Sequence, residues 1–296
     1  MQDNKKKILQ IIKCLFGIHK VNKWYAYTVK MKIGICSFCH SEILKEDETF
    51  KNVKSKLPDF VNMQKEMGSL KGKNIVITGV SGGIGGVLYG KLKERGANLL
   101  LLDRPGSLKG FHSIGQIADF RSIKDTFVAS FMLQRESLFI DAVINLAGIG
   151  IYKDLKDLKI SEFQESIQIN LVAPFIVSRV MLPALLRTKH SLIINVGSGM
   201  GVIPTAGRSA YCASKFGLRG LSLSLNKELK GKVDVSLLTL GSVMTSFGTG
   251  GILARKWKQL KGKKYLNPGQ VADKIISIIE SDYRKREYVM YPKGYK

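Results

Sequence analysis

The chain is poor in cysteine and in long apolar runs. It has only four cysteines in 296 residues, too few and too clustered for the disulfide framework of a small secreted domain. No apolar stretch reaches the ~18 residues that a membrane-spanning helix requires. The lysine-rich N-terminus is not followed by an unbroken apolar core with a small-residue cleavage site. The sequence therefore predicts a cytoplasmic protein with neither a signal peptide nor a transmembrane segment.

Acidic side chains are also scarce. The chain has 23 Asp and Glu residues against 47 Lys and Arg residues, which gives a formal net charge of +24. Such an excess favours acidic partners, for example nucleotide cofactors, anionic lipid or an acidic carrier protein, although a solvated lysine-rich surface is the simpler explanation. No basic motif interleaved with aromatic residues is present, so no nucleic-acid partner is predicted.

Residues 1–68 form a basic N-terminal extension. Apolar residues recur at helical spacing over residues 8–16 and predict a short basic amphipathic helix. The extension also holds potential metal ligands: Cys14, His19, Cys36, Cys39 and His40. They include the haem-attachment pattern Cys-x-x-Cys-His and suffice for tetrahedral zinc. Haem attachment normally requires export, and only one Cys-x-x-Cys pair exists, so ordinary thiols in a loosely ordered segment are favoured and no metal site is predicted.

A strand, a glycine-rich turn and a helix follow one another near the start of the larger segment, residues 69–296. Residues 74–78 are an apolar run typical of a buried parallel strand. Glycines then recur through residues 79–85, ahead of a helical pattern that extends to residue 95. Glycine allows a tight turn and lets a phosphate approach the backbone amides at a helix N-terminus. This arrangement predicts an α/β domain that binds a nucleotide.

Tyr211 and Lys215 lie one turn apart on one face of a predicted helix, residues 209–230. An ammonium group near a phenol stabilises the phenolate, and about 4 kcal/mol of differential interaction moves a tyrosine pKa from about 10 to about 7. Ser198 follows the apolar strand 192–196, at the end of the sheet where open α/β folds bind ligands. These side chains predict a general acid/base site acting on an alcohol oxygen.

Motifs in a fixed order over residues 70–291 resemble the signature of the short-chain dehydrogenase/reductase family. They comprise Thr78, Gly79, Gly83, Ile84, Gly85, Asn145, Leu146, Ala147, Gly148, Asn170, Ser198, Tyr211 and Lys215. The resemblance implies a Rossmann-type, doubly wound parallel sheet in three αβα layers. It also implies reversible hydride transfer between a nicotinamide cofactor and a secondary alcohol or ketone. The family pattern is expected to start at Met63 or Met67, the first 66 residues being a misassigned extension or a fusion.

The resemblance implies a catalytic tetrad of Asn170, Ser198, Tyr211 and Lys215. In that scheme Tyr211 is the acid/base, Lys215 lowers its pKa and holds the nicotinamide ribose, and Ser198 polarises the substrate oxygen. Asn170 distorts its helix, and its main chain holds a water in a proton relay from Lys215. The implied cofactor contacts are Thr78, Gly79, Ser81, Gly82, Gly83, Ile84, Gly85, Asp103, Arg104, Asp119, Asn145, Ala147, Gly148, Tyr211, Lys215, Gly241, Val243 and Thr245.

The second predicted strand, residues 98–103, ends in an acid that bears on the choice of cofactor. Asp103 is expected to accept hydrogen bonds from the adenosine ribose hydroxyls and to repel a 2′-phosphate, which favours NAD. Arg104 beside it is suited to binding a 2′-phosphate, so NADP is the alternative. Asp119, after the third strand, matches the family position that touches the adenine ring, although a surface acid is also an adequate explanation.

Residues 246–265 correspond to the substrate lid of the family. The lid combines apolar side chains with six basic ones, Arg255, Lys256, Lys258, Lys261, Lys263 and Lys264. This basic run motivates an alternative function, a 3-oxoacyl-acyl-carrier-protein reductase with an acidic carrier protein as partner. Two positions depart from the family pattern: Leu146 replaces a second asparagine, and Leu240 replaces a proline of the nicotinamide pocket.

The remaining predicted elements complete the alternating α/β pattern. They are strands at 140–145, 233–239 and 288–290, a long helix at 161–187 and a last helix that begins at Asn267. By resemblance, the long helix and the helix 209–230 form the interface of a homodimer or homotetramer. A nucleotide-binding scaffold whose N-terminal segment docks to a partner is an alternative of another class, which the complete tetrad disfavours. The lid contains no motif that identifies the small-molecule substrate.

Overall fold

The structure, a computed structural model, describes three strands near the N-terminus together with residues 70–248 and 250–294. The chain divides into two compact units, Met1–Met63 and Gln64–Lys296, whereas the predicted boundary follows residue 68. The predicted amphipathic helix of residues 8–16 lies outside the described residues. The same is true of the proposed metal ligands Cys14, His19, Cys39 and His40 and of the side chain of Cys36.

The first unit contains an antiparallel sheet of β1 (Val21–Thr28), β2 (Met31–Cys36) and β3 (Glu42–Glu46), in that spatial order. In the central strand, Ile33 pairs with Tyr25 of β1 and with Leu44 of β3. Apolar residues in β2 alternate with lysine or glycine, which is the period of two expected of a strand. The sequence pattern predicted no strand in this segment, and the sheet was found only in the structure.

The second unit is built on seven parallel strands in the order β10-β9-β8-β7-β4-β5-β6. Their bounds are β4 Asn74–Thr78, β5 Asn98–Asp103, β6 Ile114–Ile117, β7 Ala142–Asn145, β8 Leu192–Ser198, β9 Asp234–Leu240 and β10 Glu287–Met290. The chain winds outward from β4 to β6 and then returns to the other side of β4 with β7. This order is the doubly wound sheet that the sequence predicted.

Seven helices connect the strands and cover both faces of the sheet. They are α1 Gly83–Glu94, α2 Ile123–Gln134, α3 Ile160–Ile167, α4 Ala173–Leu186, α5 Ser209–Glu228, α6 Gly251–Leu260 and α7 Pro268–Glu280. α1 packs against α7 on one face, while α2, α3, α4 and α5 lie on the other. Parallel strands need such crossover connections, and the result is the predicted three-layer αβα arrangement.

Successive residues of the central strands belong to opposite hydrophobic cores. In β4, Ile75 and Ile77 pack in the core beneath α1 and α7, whereas Val76 packs in the core beneath α2 and α4. β5 behaves in the same way, since Leu101 and Leu102 face opposite cores. A sheet buried on both faces needs apolar residues at every position, which explains the continuous apolar runs in the sequence.

One π-helical turn, Gln168–Val172, interrupts the long helix that the sequence predicted over residues 161–187 and separates α3 from α4. Asn170 lies in this turn, which agrees with the helix distortion that the family resemblance implied. The helical stretch 160–186 is apolar and long enough by composition to cross a membrane, but 61% of its most apolar window is buried inside the fold. We therefore interpret it as a core helix.

The carboxyl ends of the parallel strands meet at one edge of the sheet. Thr78, the last residue of β4, pairs with Asn145 at the end of β7 and with Leu102 near the end of β5. Ser198 is the last residue of β8 and pairs with Leu240. This edge includes the point between β4 and β7 where the winding reverses, which is where folds of this type bind ligands.

Candidate active site

The turn after β4 requires glycine at its first position. Gly79 has a φ of +73°, in the left-handed region, and a Cβ placed on it would lie 2.7 Å from Cα of Ala147. Gly83 is also constrained, because a Cβ there would lie 2.7 Å from Cγ2 of Thr245. The turn therefore packs closely against two segments that the sequence predicted to contact the cofactor, one after β7 and one after β9.

The first turn of α1 presents backbone N–H groups that the described part of the chain leaves without an acceptor. The amides of Gly83, Ile84 and Gly85 precede the bond from Gly86 to Gly82, and Gly82 provides no side-chain cap. No acidic residue occupies the first turn of the helix. Free amides at the positive end of a helix dipole fit the pyrophosphate of a dinucleotide.

Asp103 is buried at the end of β5, where both carboxylate oxygens accept backbone hydrogen bonds. Oδ2 accepts from the N–H of Ser81, and Oδ1 accepts from the N–H of Arg104, each at 2.7 Å. The carboxylate thus ties the glycine-rich turn to β5, a role that the sequence did not predict. Each oxygen keeps a second lone pair for a ribose hydroxyl. The side chain of Arg104 is exposed, and its Nε donates to Oγ of Ser107 at 3.3 Å.

Asp119 follows β6 and is held by the guanidinium of Arg121. Nε of Arg121 donates to Oδ1 at 2.9 Å and Nη2 donates to Oδ2 at 2.8 Å. These bonds hold the pKa of Asp119 below its usual value. The preceding residue, Ala118, donates its N–H to the carbonyl of Asp103 at 2.8 Å. Asp119 therefore lies on a loop next to the end of β5, on the side of the predicted adenosine site.

Thr78 and Asn145 are paired across the sheet but bind different groups. Oγ1 of Thr78 accepts from the two backbone amides that follow Asn145, each at 3.1 Å. Nδ2 of Asn145 donates to Oδ1 of Asn195 at 2.8 Å and to Oγ of Ser178 at 3.0 Å. Asn145 thus links β7 to β8 and α4 inside the fold, whereas Thr78 orients the chain that passes along the edge through Ala147.

Asn170 is fully buried and binds the main chain of Ile149 in two places. Its Oδ1 accepts from the Ile149 N–H, and its Nδ2 donates to the Ile149 carbonyl, both at 2.9 Å. Nδ2 also lies 3.0 Å from Oγ of Ser214 on α5. A Cβ on Gly148 would lie 3.0 Å from Oδ1 of Asn170 and 3.8 Å from Nζ of Lys215. The amide group therefore fixes the loop after β7 beside Lys215.

Ser198, Tyr211 and Lys215 converge at the carboxyl end of β8. The Ser198 hydroxyl lies close enough to the Tyr211 phenol to act against the rise in its pKa, and its Oγ accepts a hydrogen bond from the N–H of Met200 at 3.2 Å. Nζ of Lys215 donates to the carbonyl of Val196 at 3.0 Å and lies 5.8 Å from the centroid of the Tyr211 ring. The three side chains are thus held together by the end of one strand and the first turns of α5.

Burial acts on the tyrosine and the lysine in opposite directions. Burial raises the pKa of Tyr211 well above its ordinary value, an effect that Tyr152 reinforces and that the Ser198 hydroxyl opposes. Burial lowers the pKa of Lys215 to about 8. Both shifts favour the neutral forms. A positive group close to the phenol oxygen is therefore needed for Tyr211 to ionise near neutral pH.

The chain after β9 contributes the last predicted cofactor residues. Thr245 contacts the glycine-rich turn, and its Oγ1 accepts from the N–H of Phe247 at 3.3 Å. Val243 is buried and forms an isolated bridge with Leu266. Gly241 packs against Tyr291 and not against the glycine-rich turn, since a Cβ on it would lie 2.8 Å from Cδ1 of Tyr291. Of these predicted residues, Thr245 is the one that lies against the glycine-rich turn.

Three further side chains surround Tyr211, and two of them were missed by the sequence analysis. The ring of Tyr152 meets that of Tyr211 edge-on at 5.6 Å, and the ring of Phe247 lies 5.9 Å away. The guanidinium carbon of Arg208 lies 4.2 Å from the centroid of the Tyr152 ring. Phe247 was assigned to the lid, but Tyr152 and Arg208 belong to no motif. Tyr152 lies four residues after Gly148, and Arg208 lies three residues before Tyr211. Closeness in sequence to these motif residues is the one signal by which they could have been found.

A metal centre is not indicated in the part of the chain that the structure describes. Among those residues, no three His, Cys, Asp or Glu side chains are grouped so that they could hold an ion. The cysteine nearest to the site, Cys212, is buried beside Tyr211 with a free thiol. The side chains that converge at the site offer a hydroxyl, a phenol, an amine and a carboxamide.

Comparison with known proteins adds relatives with similar sequences. The chain is 30% identical over 166 residues to a 3-oxoacyl-acyl-carrier-protein reductase of Rickettsia conorii, covering 54% of this chain and 68% of the relative. It is 27% identical over 232 residues to an uncharacterised oxidoreductase of Escherichia coli, covering 75% of this chain and 86% of the relative.

Solved structures and a family model give the same picture. A metagenomic short-chain oxidoreductase in complex with NADP superimposes with a TM-score of 0.64 at 28% identity, covering 76% of this chain and 99% of that structure. The model of the family described as short chain dehydrogenase matches residues 73–250. This match spans more than half of the chain and includes the glycine-rich turn, Ser198, Tyr211 and Lys215. The chain belongs to the short-chain dehydrogenase family.

Proposed function

We propose that this protein is an NAD(P)-dependent oxidoreductase that interconverts a secondary alcohol and a ketone. The observation that carries the proposal is the convergence of Ser198, Tyr211 and Lys215 at the carboxyl end of β8, on the edge that also holds the glycine-rich turn. The free amides of α1 support a pyrophosphate at this edge. Family membership and the relatives named as oxidoreductases support hydride transfer as the reaction class.

The residues of this chain act on the substrate oxygen. The Ser198 hydroxyl donates a hydrogen bond to that oxygen and orients it towards Tyr211. During alcohol oxidation the Tyr211 phenolate accepts the hydroxyl proton, and during ketone reduction the phenol returns it. The Lys215 ammonium stabilises the phenolate, and Asn170 positions the loop at Gly148 that faces Lys215. When bound, the nicotinamide cofactor supplies the hydride acceptor for oxidation and the hydride donor for reduction.

The tyrosine variant Tyr211→Phe tests the reaction. Removal of a general acid/base lowers turnover about 100- to 10,000-fold, while the nicotinamide nucleotide should bind nearly as before because its contacts lie mainly on the glycine-rich turn. Turnover is measured with a panel of secondary alcohols and ketones by nicotinamide absorbance, and binding is measured by nicotinamide fluorescence. Tyr283→Phe changes an exposed tyrosine that precedes the amino end of β10; it is the matched control and should keep full activity. More than a tenth of wild-type turnover in Tyr211→Phe would remove Tyr211 from the acid/base role.

The choice of nucleotide is tested by separate titrations with NADH and NADPH. The carboxylate of Asp103 at the end of β5 supports a preference for NADH, since it would repel a 2′-phosphate. The exposed Arg104 next to it is the group that would favour NADPH. Arg104→Ala should weaken NADPH binding and leave NADH binding unchanged. Tighter binding of NADPH than of NADH by the wild type would make Arg104 the dominant residue and would overturn the preference for NADH.

A second candidate is reduction of a 3-oxoacyl group on an acidic carrier protein. Two observations favour it: relatives of this chain bear that name, and the lid helix α6 contains no buried residue and exposes Lys256, Lys258 and Trp257. Activity on a carrier-linked substrate should then fall steeply as salt is added, because exposed charges would guide the carrier. Failure to reduce any acyl thioester would exclude this candidate.

A further inference from the structure

Three basic side chains lie close to the aromatic rings of Tyr152 and Tyr265. Arg208 is the N-cap residue of α5, Arg255 lies in α6, and Lys263 follows α6. Arg208 lies over the Tyr152 ring, while Cζ of Arg255 and Nζ of Lys263 lie 5.7 and 5.6 Å from the centroid of the Tyr265 ring. These residues are called here the basic triad.

Two residues of the basic triad contact the aromatic neighbours of Tyr211. The Tyr152 ring touches both the guanidinium of Arg208 and the ring of Tyr211, so one aromatic ring separates a fixed positive charge from the acid/base. Arg255 donates from Nη2 to the carbonyl of Phe247, whose ring also lies near that of Tyr211. A substrate whose reacting carbon lies near Tyr211 would therefore extend towards the triad.

The charges of the triad are not neutralised within the described residues. None of the three side chains forms an ion pair with an Asp or Glu in that part of the chain. Nε of Arg255 is buried without a hydrogen-bond acceptor, and the guanidinium of Arg208 has the sulfur of Met200 at 3.8 Å as a neighbour. Partial desolvation and the repulsion of Lys258, Arg208 and Arg255 lower the pKa of Lys263. Repulsion between like charges and a buried unpaired donor both disfavour this arrangement unless an anion completes it.

We propose that the basic triad binds a compact anionic group of the substrate, a carboxylate or a phosphate, so that the preferred substrates are hydroxy or oxo compounds that carry one. This inference rests on the proposed oxidoreductase function and adds the substrate class. Both arginines are half-buried, whereas Lys263 is exposed. The triad thus leads from solvent to the catalytic residues, as suits an anionic group attached to the molecule that reacts. Planar guanidinium groups match the paired oxygens of carboxylates and phosphates.

The kinetic test compares ketones that differ only in charge. A ketone with a terminal carboxylate is compared with its methyl ester, and a hydroxyketone phosphate is compared with its dephosphorylated form. The wild type should prefer the charged member of at least one pair. Arg208→Gln and Arg255→Gln should each lower kcat/KM for that charged substrate about 10- to 100-fold, because each removes a charge-assisted hydrogen bond. For the neutral substrate, kcat/KM should stay within about threefold of the wild-type value. The pair that responds identifies the anion. Equal losses on charged and neutral substrates would overturn the proposal.

A matched control separates the triad from general surface charge. Lys256→Gln removes a charge from an exposed position of α6, the helix that contains Arg255. It should leave kcat/KM unchanged for both the charged and the neutral substrate. The contrary outcome is that Lys256→Gln and Arg208→Gln lower activity equally, and only with a carrier-linked substrate. The basic side chains would then be a docking surface for a carrier protein, and the triad proposal would be wrong. Circular dichroism and thermal unfolding confirm that each variant is folded.

A binding experiment keeps the proposal testable if no ketone is reduced. Isothermal titration calorimetry with inorganic phosphate and, separately, with succinate measures anion binding to the full chain with NADH present. Binding of either anion that is lost in the double variant Arg208→Gln/Arg255→Gln supports the triad, even where absence of turnover refutes the proposed oxidoreductase activity. Equal binding to the wild type and the double variant, or no binding to the wild type, would refute the triad.

Discussion

At the scale of single residues, the chemistry depends on how Tyr211 and Lys215 are buried. The phenol and the ammonium lie in the same apolar surroundings, and each is shifted towards its neutral form. The Ser198 hydroxyl does not reverse this, because it lowers the pKa of Tyr211 less than burial raises it. The positive nicotinamide ring of an oxidised cofactor is the charge that would complete the acid/base.

This balance predicts a pH dependence that the cofactor changes. Without cofactor, Tyr211 should stay protonated beyond about pH 10, the ordinary tyrosine pKa, because burial disfavours the phenolate. Saturation with NAD⁺ should bring its ionisation to lower pH. Ultraviolet phenolate titrations of the wild type and of Tyr211→Phe measure the difference, with and without NAD⁺. If the cofactor-free wild type formed one more phenolate than Tyr211→Phe below about pH 9, this expectation would be contradicted.

The glycine-rich turn gives a second prediction at the residue scale. Gly79→Ala should lower the free energy of unfolding by about 1–3 kcal/mol, since alanine is strained at a φ of +73° and its Cβ would meet Ala147. Gly90→Ala is the matched control: Gly90 lies within α1 with no atom near the added Cβ, so it should stabilise the protein by about 0.4–1 kcal/mol. Urea denaturation measures both values. Equal effects would show that the turn does not require glycine.

At the scale of elements, the lid differs from the rest of the domain. Helix α6 has no buried residue, whereas α7, which follows it, buries six: Val271, Ala272, Ile275, Ile276, Ile278 and Ile279. α7 also begins with a capping box formed by Asn267 and Gln270. A helix without buried contacts opens at low free-energy cost, so α6 is suited to admit a substrate while α7 keeps its place in the core.

The amides of α6 should therefore exchange with deuterium much faster than those of α7. Hydrogen exchange with mass spectrometry measures both helices in one sample, so that α7 serves as the internal control. Binding of nucleotide and substrate should slow exchange in α6 and leave α7 unchanged. Equal protection of the two helices in the free protein would show that the lid is held closed by contacts other than buried side chains.

At the scale of the whole molecule, large apolar side chains remain exposed on the helical face opposite α1 and α7. They include Phe163 on α3, Phe175 on α4 and Phe216 on α5, which are 39–46% exposed. α3 also packs against α5, so two of these helices share one surface. Large apolar side chains exposed on neighbouring helices are suited to a protein contact, which fits the expectation of a homodimer or homotetramer.

Sedimentation equilibrium tests that expectation. The wild type should sediment at a multiple of its 32.8 kDa chain mass, and Phe163→Glu together with Phe216→Glu should shift it towards the single chain because buried carboxylates destabilise an apolar interface. Leu253→Glu, at an exposed site on α6, is the control and should leave the assembly unchanged. A wild type that sediments as a single chain would refute the expected oligomer.

Local sequence predicted much of the second unit. The strands β4 and β5 have the predicted bounds, because each has an unbroken apolar centre, suited to a strand buried on both faces, between polar end residues. β7 starts at Ala142, two residues after the predicted start, and β9 is displaced by one residue, since a strand ends where its pairing ends. The strands of the first unit were not predicted, because their apolar runs are short and mixed with lysines.

The sequence by itself determined the alternation of strands and helices, the glycine-rich turn and the spacing of Ser198, Tyr211 and Lys215, because these depend on local periodicity and on residues close together in the chain. The doubly wound strand order was predicted from the ordered motifs that resemble the family. Only the tertiary structure placed Asp103 under the turn and used Asn170 to hold Ile149. It alone brought Arg208 to Tyr152 and Tyr211, and Arg255 and Lys263 together around Tyr265. Those contacts join distant segments, and their geometry depends on how strands and helices pack, which no local pattern contains.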